Sequence, residues 1–123
     1  MARLSAFGDL ESTAATRIWD RILARSVNGD RLMLAVVELE PGAIAAAHSH
    51  ENEQLGIVLR GTMDFRVGDE RRLLGPGGTW RIPPNVEHEA TAGSEGAVVI
   101  DVFAPGRDDW RGLETFDAAP VWP

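Results

Sequence analysis

A chain of 123 residues, 44% apolar and 25% charged, suits one domain with a core of its own. Its net charge of −7 sets it against nucleic acid and anionic membrane surfaces, and no run of about 18 apolar residues offers a membrane span. Cysteine, lysine and tyrosine are absent, which removes disulfides, thiolate ligands, Schiff-base chemistry and phenolic bases. The N-terminus has no apolar h-region and carries an early Asp9, so no signal peptide is expected and a cytoplasmic location is the default.

In chain order, residues 1–16 read as a lead-in with a short helix around Leu10–Thr16. Arg17–Val27 and Arg31–Glu40 are strand candidates, and the Asn28-Gly29-Asp30 between them is a hairpin signal. Glu40-Pro41-Gly42 marks a turn, and Leu55–Arg60 is a strand running into Gly61. Met63, Phe65 and Val67 alternate with polar residues, as a half-buried strand does. Gly68-Asp69-Glu70 turns the chain into Arg71–Leu74, and Gly75-Pro76-Gly77-Gly78 is the densest turn signal. Short strands are predicted at Thr79–Ile82 and Val86–Thr91, then a strongly apolar one at Gly96–Ala104, closed by Pro105-Gly106. A tail with Trp110, Phe116 and Trp122 is expected to pack on the body or on a partner. About eight or nine short strands with little helix predict an all-β barrel or jelly roll. The expected organisation is one domain over 1–123, with lead-in 1–16, barrel core 17–104 and tail 105–123.

Leu55, Ile57 and Leu59 lie on one strand face opposite Gly56 and Val58; Val98, Ile100 and Val102 lie opposite Val99, Asp101 and Phe103. A small barrel has only one inside. The outer apolar row is therefore expected to be covered, by a second subunit in a homodimer or by the terminal segments of the same chain; the homodimer is preferred.

Two of the three histidines, His48 and His50, stand one residue apart, so on a strand both reach one point in space. Gln54 shares their parity, whereas Glu53, its competitor as a further ligand, points to the opposite face unless the chain bulges. The third histidine is His88. The full spacings are Gly42-x5-His48-x-His50-x3-Gln54-x6-Gly61 and Gly77-x5-Pro83-x-Asn85-x2-His88-x3-Ala92. They resemble the two cupin motifs, G-x5-H-x-H-x3-E-x6-G and G-x5-P-x-G-x2-H-x3-N. Gln54, Asn85 and Ala92 depart from the pattern. The resemblance implies a double-stranded β-helix and one divalent metal ion held by His48, His50, Gln54 and His88. Zinc, nickel, iron(II) and manganese all suit such ligands. With a neutral Gln54 the ion would keep its full charge, which favours redox-neutral chemistry on an anionic substrate.

Parity selects further candidates. Asp101 and Phe103 share one face of the last long strand, and Arg107 follows its end. Asp101 is a candidate general acid or base, or else a structural carboxylate paired with an arginine. Phe103 is a pocket wall or core. Arg107 is a bidentate partner for a substrate carboxylate or a surface arginine after a turn. Arg60, with the parity of Gln54, is a further substrate-binding candidate; Trp80 reads as core. The run from Val99 to Trp110, downstream of His-x-His-x3-Gln, is similar to the small pectin-degradation cupins of the KdgF type. There a His-His-Gln-His site stands beside an Asp-x-Phe-x3-Arg arrangement. That resemblance implies a metal-dependent isomerase that opens cyclic 4,5-unsaturated monouronates to their linear 4-deoxy-5-keto form. Asp101 would move protons, Phe103 pack on the ring and Arg107 fix the carboxylate. The implied partner is a small anionic sugar acid. A metal-dependent dioxygenase and a non-catalytic metal- or sugar-acid-binding module are the alternatives.

Overall fold

The computed structural model describes residues 5–123. Its strands are β1 (Ala15–Trp19), β2 (Ile22–Asn28), β3 (Met33–Leu39), β4 (Ile44–His48), β5 (Glu53–Val67), β6 (Glu70–Leu74), β7 (Thr79–Ile82), β8 (His88–Ala104) and β9 (Thr115–Phe116). Among the described residues the helical content is one 3-10 turn, Asp108–Trp110, so no helix is long and apolar enough to cross a membrane. Every strand pair is antiparallel.

Two long strands organise the fold. The first half of β5 pairs with β7 and with the second half of β8, which continues through β3, β2 and β1 to β9. The second half of β5 pairs with β6 and with the first half of β8, whose other neighbour is β4. Both strands thus run through two sheets that face each other, which makes a jelly-roll barrel. The bend falls where β5 shifts register, between Val58 and Arg60 and again between Gly61 and Met63. Gly61 sits at φ +78, and a Cβ there would stand 2.0 Å from the carbonyl oxygen of Gly96 on β8. Only glycine permits both the backbone angle and the approach.

The inward faces alternate as a half-buried strand requires. Met33, Ala35, Val37 and Leu39 of β3 meet Met63 and Phe65 of β5, Trp80 and Ile82 of β7, and Val99 and Phe103 of β8 in one core. Burying each large apolar side chain stabilises the fold by about 1.5–3 kcal/mol.

Several local expectations are corrected. No helix forms at Leu10–Thr16: the Asp9 carboxylate accepts the Ser12 amide at 2.8 Å and holds a turn instead, the competition with helix for which short polar side chains are suited. Residues 1–4 of the lead-in lie outside the described residues. Arg17–Val27 is two strands, because Arg21 takes a left-handed φ of 63 and reverses the chain. The Asn28-Gly29 hairpin exists, but Asn28 pairs with Met33, so residues 29–32 turn it where Asn28-Gly29-Asp30 was expected. The segments predicted separately around Gly61, and around Gly93 and Gly96, are the single strands β5 and β8. In the tail β9 joins the sheet beside β1, and Trp110 packs against the core.

The outer face of the larger sheet is only partly covered. Arg25, 1% exposed, pairs with Glu38 at 2.6 Å and donates to the Ala118 carbonyl at 2.5 Å. Glu38 also accepts the Val121 amide at 3.0 Å. The last residues therefore run across β2 and β3, above the buried Val36 and Val98. One row beyond this strap, Val27, Leu34, Val102 and Leu55 stand in register across four strands. Val27 is 62% and Leu55 48% exposed.

Candidate metal centre and active site

Four segments converge at one end of the barrel. β4 ends on His48, which is the direct cross-strand partner of His88 at the start of β8. His50 follows in the link to β5, whose second residue is Gln54. The ring centroids of His48 and His88 are 4.3 Å apart and those of His50 and His88 4.9 Å. One ring nitrogen from each of the three lies within 4.8 Å of the others, so together they form a group able to hold a metal ion.

The hydrogen bonds say which nitrogens face inward. Nδ1 of His48 donates to the Ala46 carbonyl at 2.6 Å, Nδ1 of His50 to Asn52 at 2.9 Å and Nδ1 of His88 to Val86 at 2.9 Å. With the Nδ1 protons used, each Nε2 presents a lone pair. Gln54 donates its amide nitrogen to Asp101 at 2.8 Å, which turns its Oε1 toward Nε2 of His50 at 3.0 Å. Two acceptors thus face each other with no proton to share. The buried Nε2 of His88 has no partner at all among the described residues. An orphaned buried acceptor beside a lone-pair contact is costly without a cation between the groups. The residues present fit a divalent ion held by three imidazoles and one amide oxygen. Burial pushes the pKa of His88 down to about 4 and, with the charge of Arg107, lowers that of His50, so both rings stay neutral, as ligands must.

Asp101 lies one amide away. It is buried and accepts on the same oxygen, Oδ1, from Gln54 and from the indole nitrogen of Trp80, each at 2.8 Å. Burial raises its pKa to about 6, against the two hydrogen bonds and the charge of Arg107, which pull it down. Phe103 is buried, edge-on to His50 at 5.8 Å and to Trp110 at 5.3 Å. Arg107 lies over both Phe103 and Trp110, 5.1 Å from each ring, and Asp109 takes its Nε and Nη2 at 2.9 and 2.8 Å. The bidentate edge foreseen for a substrate carboxylate is therefore occupied by the protein, and Nη1 is left. The pocket, about 60 Å³, is lined by His48, Gln54, His88, Asp101, Phe103 and Arg107, with Trp19 and Trp110 at its walls.

Arg60 is not part of this group. The register shift after Val58 reverses its parity, and it donates across the outer face to the Val121 carbonyl at 3.0 Å. Glu53 is exposed while Gln54 is buried, so the amide faces the histidines.

Residues 35–103 match the family model described as cupin domain (Cupin_2). The chain belongs to the cupin family. The pectin degradation protein KdgF of Dickeya dadantii (strain 3937) is 33% identical over 82 residues, which cover 66% of this cupin and 74% of that protein. The structure of KdgF from Halomonas sp. aligns with a TM-score of 0.79 at 29% identity, covering 86% of this cupin and 98% of that chain. An RmlC-like cupin from Shewanella frigidimarina NCIMB 400 aligns at 0.80 with 26% identity, over 89% and 99% of the two chains. This is a KdgF-like cupin.

Two residues of the cupin's site have no sequence signal of their own. Asn52 is buried and donates both amide hydrogens to the carbonyls of Pro105 and Gly106, at 2.7 and 3.1 Å, while its own carbonyl orients His50. It ties the histidine loop to the segment that carries Arg107. Trp80 is core, as its pattern indicates, yet its nitrogen reaches Asp101. The signal that could have revealed it is Gly56, the cross-strand neighbour of both Trp80 and Asp101.

Proposed function

We propose that this cupin is a metal-dependent isomerase that converts cyclic 4,5-unsaturated monouronates to linear 4-deoxy-5-keto acids, acting as a homodimer. The relative named for pectin degradation supports a place in uronate catabolism. The observation that carries the reading is the chain of contacts from the histidines through Gln54 to the buried Asp101. It joins a cation site to a proton carrier whose pKa, about 6, lies close to neutrality.

A divalent ion held by His48, His50, Gln54 and His88 supplies, when bound, Lewis-acid stabilisation of the negative charge that develops on the ring oxygen beside the carboxylate. The free Oδ2 of Asp101 takes the proton of the anomeric hydroxyl. The C1–O5 bond breaks, C1 becomes an aldehyde and the C4–C5 double bond is left as an enolate. The same carboxyl returns its proton to C4, and C5 becomes a ketone. No atom is gained or lost. Phe103 packs on the ring, and Nη1 of Arg107 meets the substrate carboxylate.

The test is incubation of metal-loaded protein with unsaturated galacturonate and guluronate, following loss of the conjugated double-bond absorbance. Loss well above the spontaneous rate is expected; a rate equal to the spontaneous one overturns the reading. In Asp101→Asn, which preserves shape and neutral hydrogen bonding, kcat is expected to fall about 100-fold or more with metal content unchanged. Full turnover in that variant removes Asp101 from the mechanism.

A further inference from the structure

We propose that Trp80 is a positioning residue that fixes which oxygen of Asp101 faces the substrate, and that Gly56 exists to let it do so. Trp80 on β7, Gly56 on β5 and Asp101 on β8 form one row across three strands. A tryptophan two strands away normally cannot touch a carboxylate, because the side chain between them intervenes. Here there is none. A Cβ on Gly56 would stand 2.1 to 2.3 Å from the indole atoms Cε2, Nε1 and Cζ2. The indole therefore lies across the glycine backbone, backed by Phe65, whose ring is stacked on it at 4.7 Å and 28°. Its nitrogen ends 2.8 Å from Oδ1 of Asp101.

The two oxygens of a carboxylate are chemically equivalent until the protein distinguishes them. Indole N–H and the Gln54 amide nitrogen only donate, so an oxygen that meets both is an acceptor and carries no proton. Both donors end on Oδ1, and Oδ2 has no partner among the described residues. Any proton exchanged with a substrate is thereby confined to Oδ2. Gln54 alone leaves the carboxylate free to rotate about its Cβ–Cγ bond while keeping one hydrogen bond; the second donor removes that freedom. Phenylalanine would keep an apolar ring at this place in the core, and only the N–H of tryptophan makes this contact.

The inference rests on Asp101 acting as the proton carrier, and the test separates the two claims. In metal-loaded Trp80→Phe, which keeps the stacked ring and loses the N–H, kcat on the unsaturated monouronate is expected to fall about 10- to 100-fold with KM and metal content unchanged. A loss of packing alone would move KM, metal content and the unfolding midpoint instead. Wild-type kcat in Trp80→Phe beside an inactive Asp101→Asn overturns the assignment of Trp80. Full activity in Asp101→Asn sinks the reading of the site as well. Nitrogen-15 spectra give a readout free of turnover. The Trp80 indole N–H, identified by its loss in Trp80→Phe, is expected to exchange slowly with solvent and to shift in Asp101→Asn. Fast exchange, or no shift, overturns the contact.

Discussion

Each of the three histidines commits one ring proton to a backbone carbonyl before any ligand arrives, and burial, against that contact, keeps His88 and His50 neutral. The pKa of His88 is pushed by burial to about 4 from an ordinary 6.5. Between those values the unfolded chain binds a proton that the native chain does not, so the metal-free protein loses stability as pH falls through this window. Asp101 acts oppositely. Its pKa is raised to about 6, so the native state holds the extra proton, and that contribution fades as pH rises from 3.8 toward 6. In metal-free His88→Gln the loss due to His88 is gone, which leaves that of His50, whose pKa burial also lowers, and the opposing effect of Asp101. The denaturation midpoint of this variant is expected to drop less than that of the wild type between pH 7 and 5, and the variant, when offered metal, is expected to hold less of it than the wild type at both. Equal drops would exclude the neutral, buried His88. The histidine spacing was legible as a motif in register with its turn residues, but not through parity along one strand: His48 ends β4, His50 lies in the link and Gln54 is on β5. The Arg60 expectation failed on the same rule: a bulge between Val58 and Arg60 resets parity and leaves no mark in composition. Trp80 and Asn52 act across strands, and a pattern read along the chain does not see who lies beside whom.

At the scale of elements, the strap formed by the last residues depends on a buried ion pair. Removing one partner of such a pair strands the other without solvent. Glu38→Ala leaves Arg25 uncompensated under the tail and also removes the acceptor of the Val121 amide. A loss of about 3 kcal/mol in chemical denaturation is expected, together with earlier proteolytic trimming after Asp117. An unchanged stability with an intact tail would show that the strap is held by other contacts. Little of this was legible. Arg25 reads as an ordinary strand arginine, and only the distant tail makes it interior. The lengths of β5 and β8 were also hidden. Gly61 and Gly96 carry the usual mark of a strand end, but here they bend continuous strands where two backbones cross. Strand identity and sheet faces were legible from alternation; the bends came from close approach between residues far apart in sequence.

For the whole molecule, the row of Val27, Leu34, Val102 and Leu55 is what remains of the two-faced apolar strands noted in the sequence once the tail has covered the rest. A contiguous exposed apolar patch on a sheet face is a usual mark of association. Sedimentation at micromolar concentration is expected to show a dimer, and Leu34→Glu or Leu55→Glu to shift it to monomer with the fold retained. A monomeric wild type would end that assignment. The bent pair of long strands has a further consequence, for the order of assembly. β5 and β8 pair antiparallel around residues 68–87, which carry β6 and β7, with a register that runs from Val67 opposite His88, nearest in sequence, to Glu53 opposite Ala104, farthest apart. Closing the shorter loop costs less chain entropy than closing the longer one. The pair is thus biased to zip from the end nearest in sequence, laying down His88 before Asp101, onto a frame that has already turned its corner at Gly61.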